Sequence, residues 1–294
     1  MGTMMSLFVS TTMIPAVRPI ADEYGMGTTT MVNLCCFMSY VFAVPAIACH
    51  MSLLQNYSPG LIIRVAITIQ FLGSLFRMYT FVNGEFWPIL VGHAINALPG
   101  PVYMCVNNII INAWFSDKER ATASGLLLVA VPIGQAMSFA LQAFFLNQND
   151  TDMNIFLWKM MLAQNAVFLF AYLFMVIGFR DKPKVPPSPV AEAKVETLDF
   201  FQTFKVIKED SKFGLLIFAF ALKQGAMQGY GILVSDVYTP FGFTARLMAN
   251  YGVMLFFAGI VGTIFWGVFI DFSGKIKTSL ITCCVGTALS LVFI

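Results

Sequence analysis

Lys223 places a charge ten residues into an apolar run that begins at Phe213. At about 1.5 Å per residue, that is about 15 Å from the start of the run, near the midplane of a hydrocarbon layer about 30 Å thick. A charge at that depth is expensive and marks a functional position by default. Its neighbours are hydrogen-bonding groups. Gln224 and Gln228 share a helix face, and Tyr230 lies close to Lys223 around the helix. Gly225, Gly229 and Gly231 permit close packing or local unwinding. Two readings stand side by side. In one, Lys223, Gln224, Gln228 and Tyr230 line a polar cavity. In the other, Gly225-xxx-Gly229 packs against a second helix, and Lys223 snorkels or is paired.

A second set of polar residues lies in other apolar runs. His93 is followed by Asn96, Pro99-Gly100-Pro101 and Asn107-Asn108. The prolines predict a kink or break, and the freed carbonyls are tolerable only beside a cavity or a neighbouring helix. His93 has the chemistry to bind a solute, carry a proton or ligate haem, or to rest as a hydrogen-bonded packing residue. No second histidine or patterned methionine accompanies it, which argues against haem. Gln135 follows Pro132-Ile133-Gly134, which predicts another break, and with Ser10, Thr11 and Thr12 forms a second polar cluster. The alternative for the hydroxyls is a bond to the preceding helical turn. Arg77 and Lys159 lie towards the ends of their runs, where snorkelling accounts for them.

The chemistry of enzymes is missing. There is no Walker loop, dinucleotide fingerprint, zinc-protease motif or nucleophile–base pair. Cys35, Cys36, Cys49, Cys105, Cys283 and Cys284 lack metal spacing and read as small buried hydrophobes. No metal, cofactor, nucleic-acid partner or catalytic residue is expected.

The elements that must hold these residues are membrane spans. The chain is 58% hydrophobic and 11% charged, with a mean hydropathy of +0.78; a soluble domain carries about twice that charge. Apolar stretches predict nine spans, at 1–17, 31–54, 61–81, 86–111, 121–146, 155–178, 213–237, 247–270 and 278–294, each close to the about 20 residues a bilayer requires. The first and last are short, as if the chain were cut inside them. Twelve of the 17 basic residues lie on one set of alternate loops, including Arg64, Lys118, Arg120, Arg180, Lys205, Lys275 and Lys277. The positive-inside rule makes that side cytoplasmic. The sequon at Asn149 falls on the opposite side, where glycosylation occurs. The expected fold is an all-α polytopic transmembrane bundle, multi-pass in the plasma membrane or an endomembrane. It divides into a six-helix unit (1–178), a cytoplasmic basic, proline-rich linker (179–212) and a three-span unit (213–294). Within the linker, Leu198, Phe201, Phe204 and Ile207 predict a surface amphipathic helix between Glu196 and Phe213.

Two loops carry a family resemblance. Trp114-Phe115-Ser116-Asp117-Lys118-Glu119-Arg120 through Ser124 lies between spans four and five, and Gly267 through Asp271, Gly274 and Lys275 to Lys277 lies between spans eight and nine. With six spans, a basic loop and further spans, they resemble the major facilitator superfamily. Leu72-Gly73 with Arg77, Gly92-His93, the linker and Ala258 to Gly262 resemble its feline leukaemia virus subgroup C receptor-related branch. Members of that branch are known or proposed to move choline, ethanolamine, haem or pyridoxine-like vitamins. The loop after span two, Gln55 to Gly60, lacks the signature aspartate and basic residue, and Val9 to Met13 lacks the mid-span aromatic of choline-handling members.

The resemblance implies twelve spans in the whole family fold, with span seven lining a central cavity. Glu119, Arg120, Gly267, Asp271, Gly274 and Lys275 would latch an inner gate. The expected function is transport of a small polar or amphipathic organic solute by alternating access, with a coupling ion as a further partner. The alternative is a truncated, transport-incompetent membrane protein or a receptor-like interaction protein.

Overall fold

Proline and hydroxyl side chains decide where the first helix bends. The computed structural model describes residues 1–116, 119–146, 152–180, 183, 187 and 200–292, and among these there are helices and no strands. The helices are α1 (Gly2–Glu23), α2 (Thr30–Asn56), α3 (Pro59–Asn83), α4 (Trp87–Trp114), α5 (Arg120–Leu146), α6 (Met153–Gly178), α7 (Phe200–Glu209), α8 (Ser211–Tyr238), α9 (Ala245–Ser273) and α10 (Ile276–Val292). Seven of them, α1 to α6 and α9, are long and apolar enough to cross a membrane. The two others expected as spans fall outside that set: α8 carries Lys223 and Gln224 at mid-helix, and α10 has 17 residues.

The first span runs further than its apolar residues predict. Helix continues to Glu23, with Arg18 and Asp22 paired at 3.4 Å on its exposed face. The helix is interrupted in the middle, at Thr11–Met13, by a turn that leads into a 3-10 segment, Ile14–Ala16. Pro15 has no N–H to donate back to Thr11, and the Thr11 carbonyl accepts instead from Ile14 at 3.4 Å. Hydroxyls stitch the loosened turn, Thr11 Oγ1 donating to Leu7 at 2.9 Å and Thr12 Oγ1 to Phe8 at 3.1 Å. The break expected in span four is present between Ala97 and Gly100. The one expected in span five is not, and α5 passes through Pro132 unbroken. Gly134 serves packing there, because a Cβ would run into the Met4 carbonyl of α1.

Helices α1 to α6 form one closely packed unit. Gly73 and Gly92 bring α3 and α4 to backbone contact; a Cβ on Gly92 would lie 2.7 Å from the Gly73 carbonyl and would strike the Arg77 side chain. The remaining long helices meet this unit near one end, called here the upper end, where α1–α2, α3–α4, α5–α6 and α8–α9 connect. Ile232, Val234, Met248 and Ala249 are buried there. Gly252 of α9 sits against the Phe139 ring of α5 where any Cβ would clash, and the Phe139 and Phe256 rings meet in a tilted pair, centroids 5.4 Å apart. Towards the lower end, Leu215, Phe218, Leu222, Phe257, Val261 and Phe265 are exposed. The expected surface helix spans Phe200–Glu209 at that lower end. Asp210 then caps α8, its carboxylate accepting from the Lys212 and Phe213 amides at 3.0 and 3.2 Å.

Candidate functional site

Between the six-helix unit and α8–α9 lies a small cavity of about 30 Å³, lined by Ser10, Thr11, Ile14, Cys36, Tyr40, Gln135, Gln228, Gly231, Ile232 and Phe256. That is about the share of one water molecule in the liquid. Four of its residues are predicted site residues: Ser10 and Thr11 from the broken turn of α1, Gln135 from α5 and Gln228 from α8. Both hydroxyls donate to the Leu7 carbonyl, at 3.3 and 2.9 Å, which leaves their oxygens as acceptors. Two carboxamides, able to donate and accept, face them from other helices. Tyr40 and Phe256 add aromatic surface.

The other predicted residues lie elsewhere. Lys223 is half-exposed and Gln224 exposed, on a face of α8 below the cavity. Gly225, Gly229 and Gly231 meet nothing within 4 Å, and α8 runs through them unbroken. Neither helix packing nor unwinding accounts for these glycines. The Tyr230 hydroxyl donates to the Tyr238 hydroxyl, at 3.1 Å, along the same helix.

His93 and Asn96 are buried inside the six-helix unit. His93 Nδ1 lies 3.0 Å from the Ile89 carbonyl, and its Nε2 has no hydrogen-bond partner among the described residues. Asn96 and Gln70 exchange side-chain-to-backbone bonds at 2.9 and 3.4 Å, and Tyr103 donates to Gln70 Oε1 at 2.8 Å. This cluster satisfies backbone groups just before the α4 break.

Arg77 does not snorkel to the surface as its place near the end of an apolar run predicts. It is fully buried, donating to Gln164 Oε1 at 2.7 Å and Ser74 Oγ at 3.0 Å. Gln164 and Asp236 were also passed over. The adjacent Gln164-Asn165 in an otherwise apolar run was the signal for the first. Asp236 accepts from Thr29 Oγ1 at 3.1 Å and Asn33 Nδ2 at 2.5 Å, joining α8 to the start of α2.

At the lower end, Glu119 accepts from the Ser116 amide at 3.2 Å and hydroxyl at 2.7 Å, which opens α5 with half a capping box. These two bonds hold its carboxyl below the ordinary range. Arg120 reaches the Asn112 carbonyl at 3.5 Å. Gly274 closes α9 with a left-handed φ of +65°, its amide bonding Ile270 at 2.8 Å, and the Lys275 amide bonds Ser273 Oγ at 3.3 Å. Nothing lies within 4 Å of a Cβ at Gly267. Asn149 and the Asp271 side chain lie outside what the structure describes. Among the described residues no cluster of His, Cys, Asp or Glu has metal-binding geometry.

This helical arrangement is similar to known transporters. A bacterial homologue of the human lysosomal transporter Spinster, solved inward-facing and unoccupied, superposes with a TM-score of 0.66 at 15% identity, covering 93% of this chain and 61% of that one. A D-xylose–proton symporter gives 0.62 at 12% identity, covering 92% and 67%. Among curated proteins, the choline/ethanolamine transporter FLVCR1 of Felis catus is 23% identical over 212 residues, 69% of this chain and 38% of that protein. The solute carrier family 49 member 4 homolog of Xenopus tropicalis is 24% identical over 212 residues, 68% and 46% respectively. The chain thus spans about half the length, or less, of these curated relatives. The family model for the Major Facilitator Superfamily matches residues 1–294. A match over that whole range, on a bundle of helices, makes this chain a member of the Major Facilitator Superfamily, within reach of its FLVCR and solute carrier 49 relatives.

Proposed function

We propose that the full-length protein transports a small organic ammonium compound, of the choline or ethanolamine class, by alternating access. The observation that carries this is the set of residues lining the cavity where the six-helix unit meets α8 and α9, a space of about 30 Å³ that must widen as the units rock to admit such a solute. Ser10, Thr11, Gln135 and Gln228 offer hydrogen bonds to a hydroxyl, while Tyr40 and Phe256 offer ring faces to a cation. The aromatic surface missing from mid-α1 is supplied by α2 and α9. In this reading the packed upper end is the closed side, and the basic side, cytoplasmic by the positive-inside rule, is the open one. Rocking the units about that junction would exchange access. In this reading residues 1–178 and 213–294 are the moving units, with 179–212 as their cytoplasmic tether. Lys223 and Gln224 face the approach to the site, and Glu119, Arg120 and the Gly267–Lys275 loop act at the inner gate.

The test is uptake of radiolabelled choline and ethanolamine by cells expressing the full-length protein. Saturable uptake above mock-transfected cells is expected for at least one. Surface expression without uptake of either would remove this substrate class.

A further inference from the structure

Arg77 is fully buried in the six-helix unit, and no ion pair among the described residues involves it. Its charge is spent on a neutral amide. Nη2 donates to Gln164 Oε1 at 2.7 Å, and the Nε2 of that amide donates to the Phe8 carbonyl and to Thr12 Oγ1, each at 2.7 Å. Phe8 is the carbonyl that the α1 break deprives of its helical donor, because the Thr12 amide turns to Val9 at 3.2 Å. No water reaches such a carbonyl inside a bilayer. A charge-assisted bond to one end of an amide strengthens the donor at its other end. From the opposite side, Gln142 of α5 donates to the Thr11 carbonyl at 3.3 Å.

We infer that Arg77 and Gln164 are positioning residues for the solute site: they hold the broken turn of α1 from behind, so that Ser10 and Thr11 stand at the cavity wall. The inference rests on the transport reading above. It assigns a use to a buried charge far from any surface and to a pair of polar residues on α6. It also explains why α3 and α4 approach so closely at Gly73 and Gly92. That contact seats the Arg77 stem, which a Cβ on Gly92 would displace.

Gln164→Glu separates positioning from mere filling. A carboxylate keeps Arg77 partnered but has no donor for Phe8 or Thr12. The background is the full-length protein with native cysteines replaced and Thr11→Cys introduced, probed with a methanethiosulfonate reagent. Gln164→Glu is expected to raise the labelling rate about tenfold. Without the cysteine changes, it should raise the choline KM about tenfold at unchanged maximal rate. Labelling at the parental rate overturns the inference. Should Gln164→Glu fail to reach the membrane, Gln164→Met removes the donor to Phe8 and Thr12 while leaving the Thr12 hydroxyl bond to Phe8 in place, and is expected to raise labelling about tenfold; no change there overturns it equally. Labelling that responds while the parent protein moves neither choline nor ethanolamine removes the proposed substrate class and leaves the clamp on α1 standing.

Discussion

Asn33 donates to the Asp236 carboxylate at 2.5 Å, and the bond runs from the start of α2 to the end of α8. With Thr29 at 3.1 Å on the same oxygen, it is a direct polar link between the six-helix unit and the helices beyond it. A hydrogen bond to a charged group contributes about 1.5–3 kcal/mol. Asp236→Ala should therefore shift the units towards an upper-open arrangement by about tenfold or more. Spin labels at Val82 and Phe241, both strongly exposed at that end, should report a longer-distance population. An unchanged distance distribution would mean that the apolar contacts alone keep the upper end shut.

Gln135 of α5 and Gln228 of α8 line the same cavity. Gln135→Ala and Gln228→Ala should each raise the KM for the ammonium compound proposed as solute about tenfold with little change in surface expression. Steady-state uptake on expression-matched cells measures this. Two variants with parental KM would move the solute site elsewhere.

Two glycine substitutions should behave oppositely. Gly92→Ala forces a Cβ to within 2.7 Å of the Gly73 carbonyl, and overpacking of this kind costs about 1–3 kcal/mol. Gly225→Ala meets nothing within 4 Å, and replacing glycine with alanine in a helix interior stabilises by about 0.5–1 kcal/mol. Thermal unfolding of the detergent-solubilised protein should show a lower midpoint for the first and an equal or higher one for the second.

Ser116 sets the titration of Glu119. Its hydroxyl and amide hold the carboxyl below the ordinary range. The bonds are fully formed above the unfolded-state pKa and are lost as pH falls through the lowered folded-state value. Carboxyl chemical shifts should show the Glu119 midpoint moving upward in Ser116→Ala. A midpoint that does not move would make the backbone amide the dominant donor.

Sequence legibility tracked solvent. Apolar runs record the contrast between lipid and water directly, and seven of the nine expected spans are helices long and apolar enough to cross a membrane; the amphipathic pattern of the linker likewise marks the helix Phe200–Glu209. The α4 break was legible because Pro99 and Pro101 flank a glycine at the junction itself. The α1 break was not read. Pro15 was visible, but the hydroxyls that satisfy Leu7 and Phe8 are common in unbroken helices too. Pro132 misled in the other direction, since α5 absorbs it without losing its helix. Ser10, Thr11, Gln135 and Gln228 were picked as polar residues in apolar runs, and the fold brings them together. Arg77 was misplaced because depth along a helix says nothing about which neighbours crowd it. Asp236 went unread because its partners lie two hundred residues earlier.

The seat of Phe139 in the notch left by Gly252 has a mechanical meaning. A flat ring lodged in a gap without a side chain resists sliding, because any displacement along either helix axis drives it against the flanking backbone. Tilting about the ring meets no such stop. The junction of α5 and α9 therefore has the character of a knuckle: it fixes the height of one unit on the other and leaves their angle free. A bulkier residue at position 252 would drive against the Phe139 ring and lever α9 away from α5.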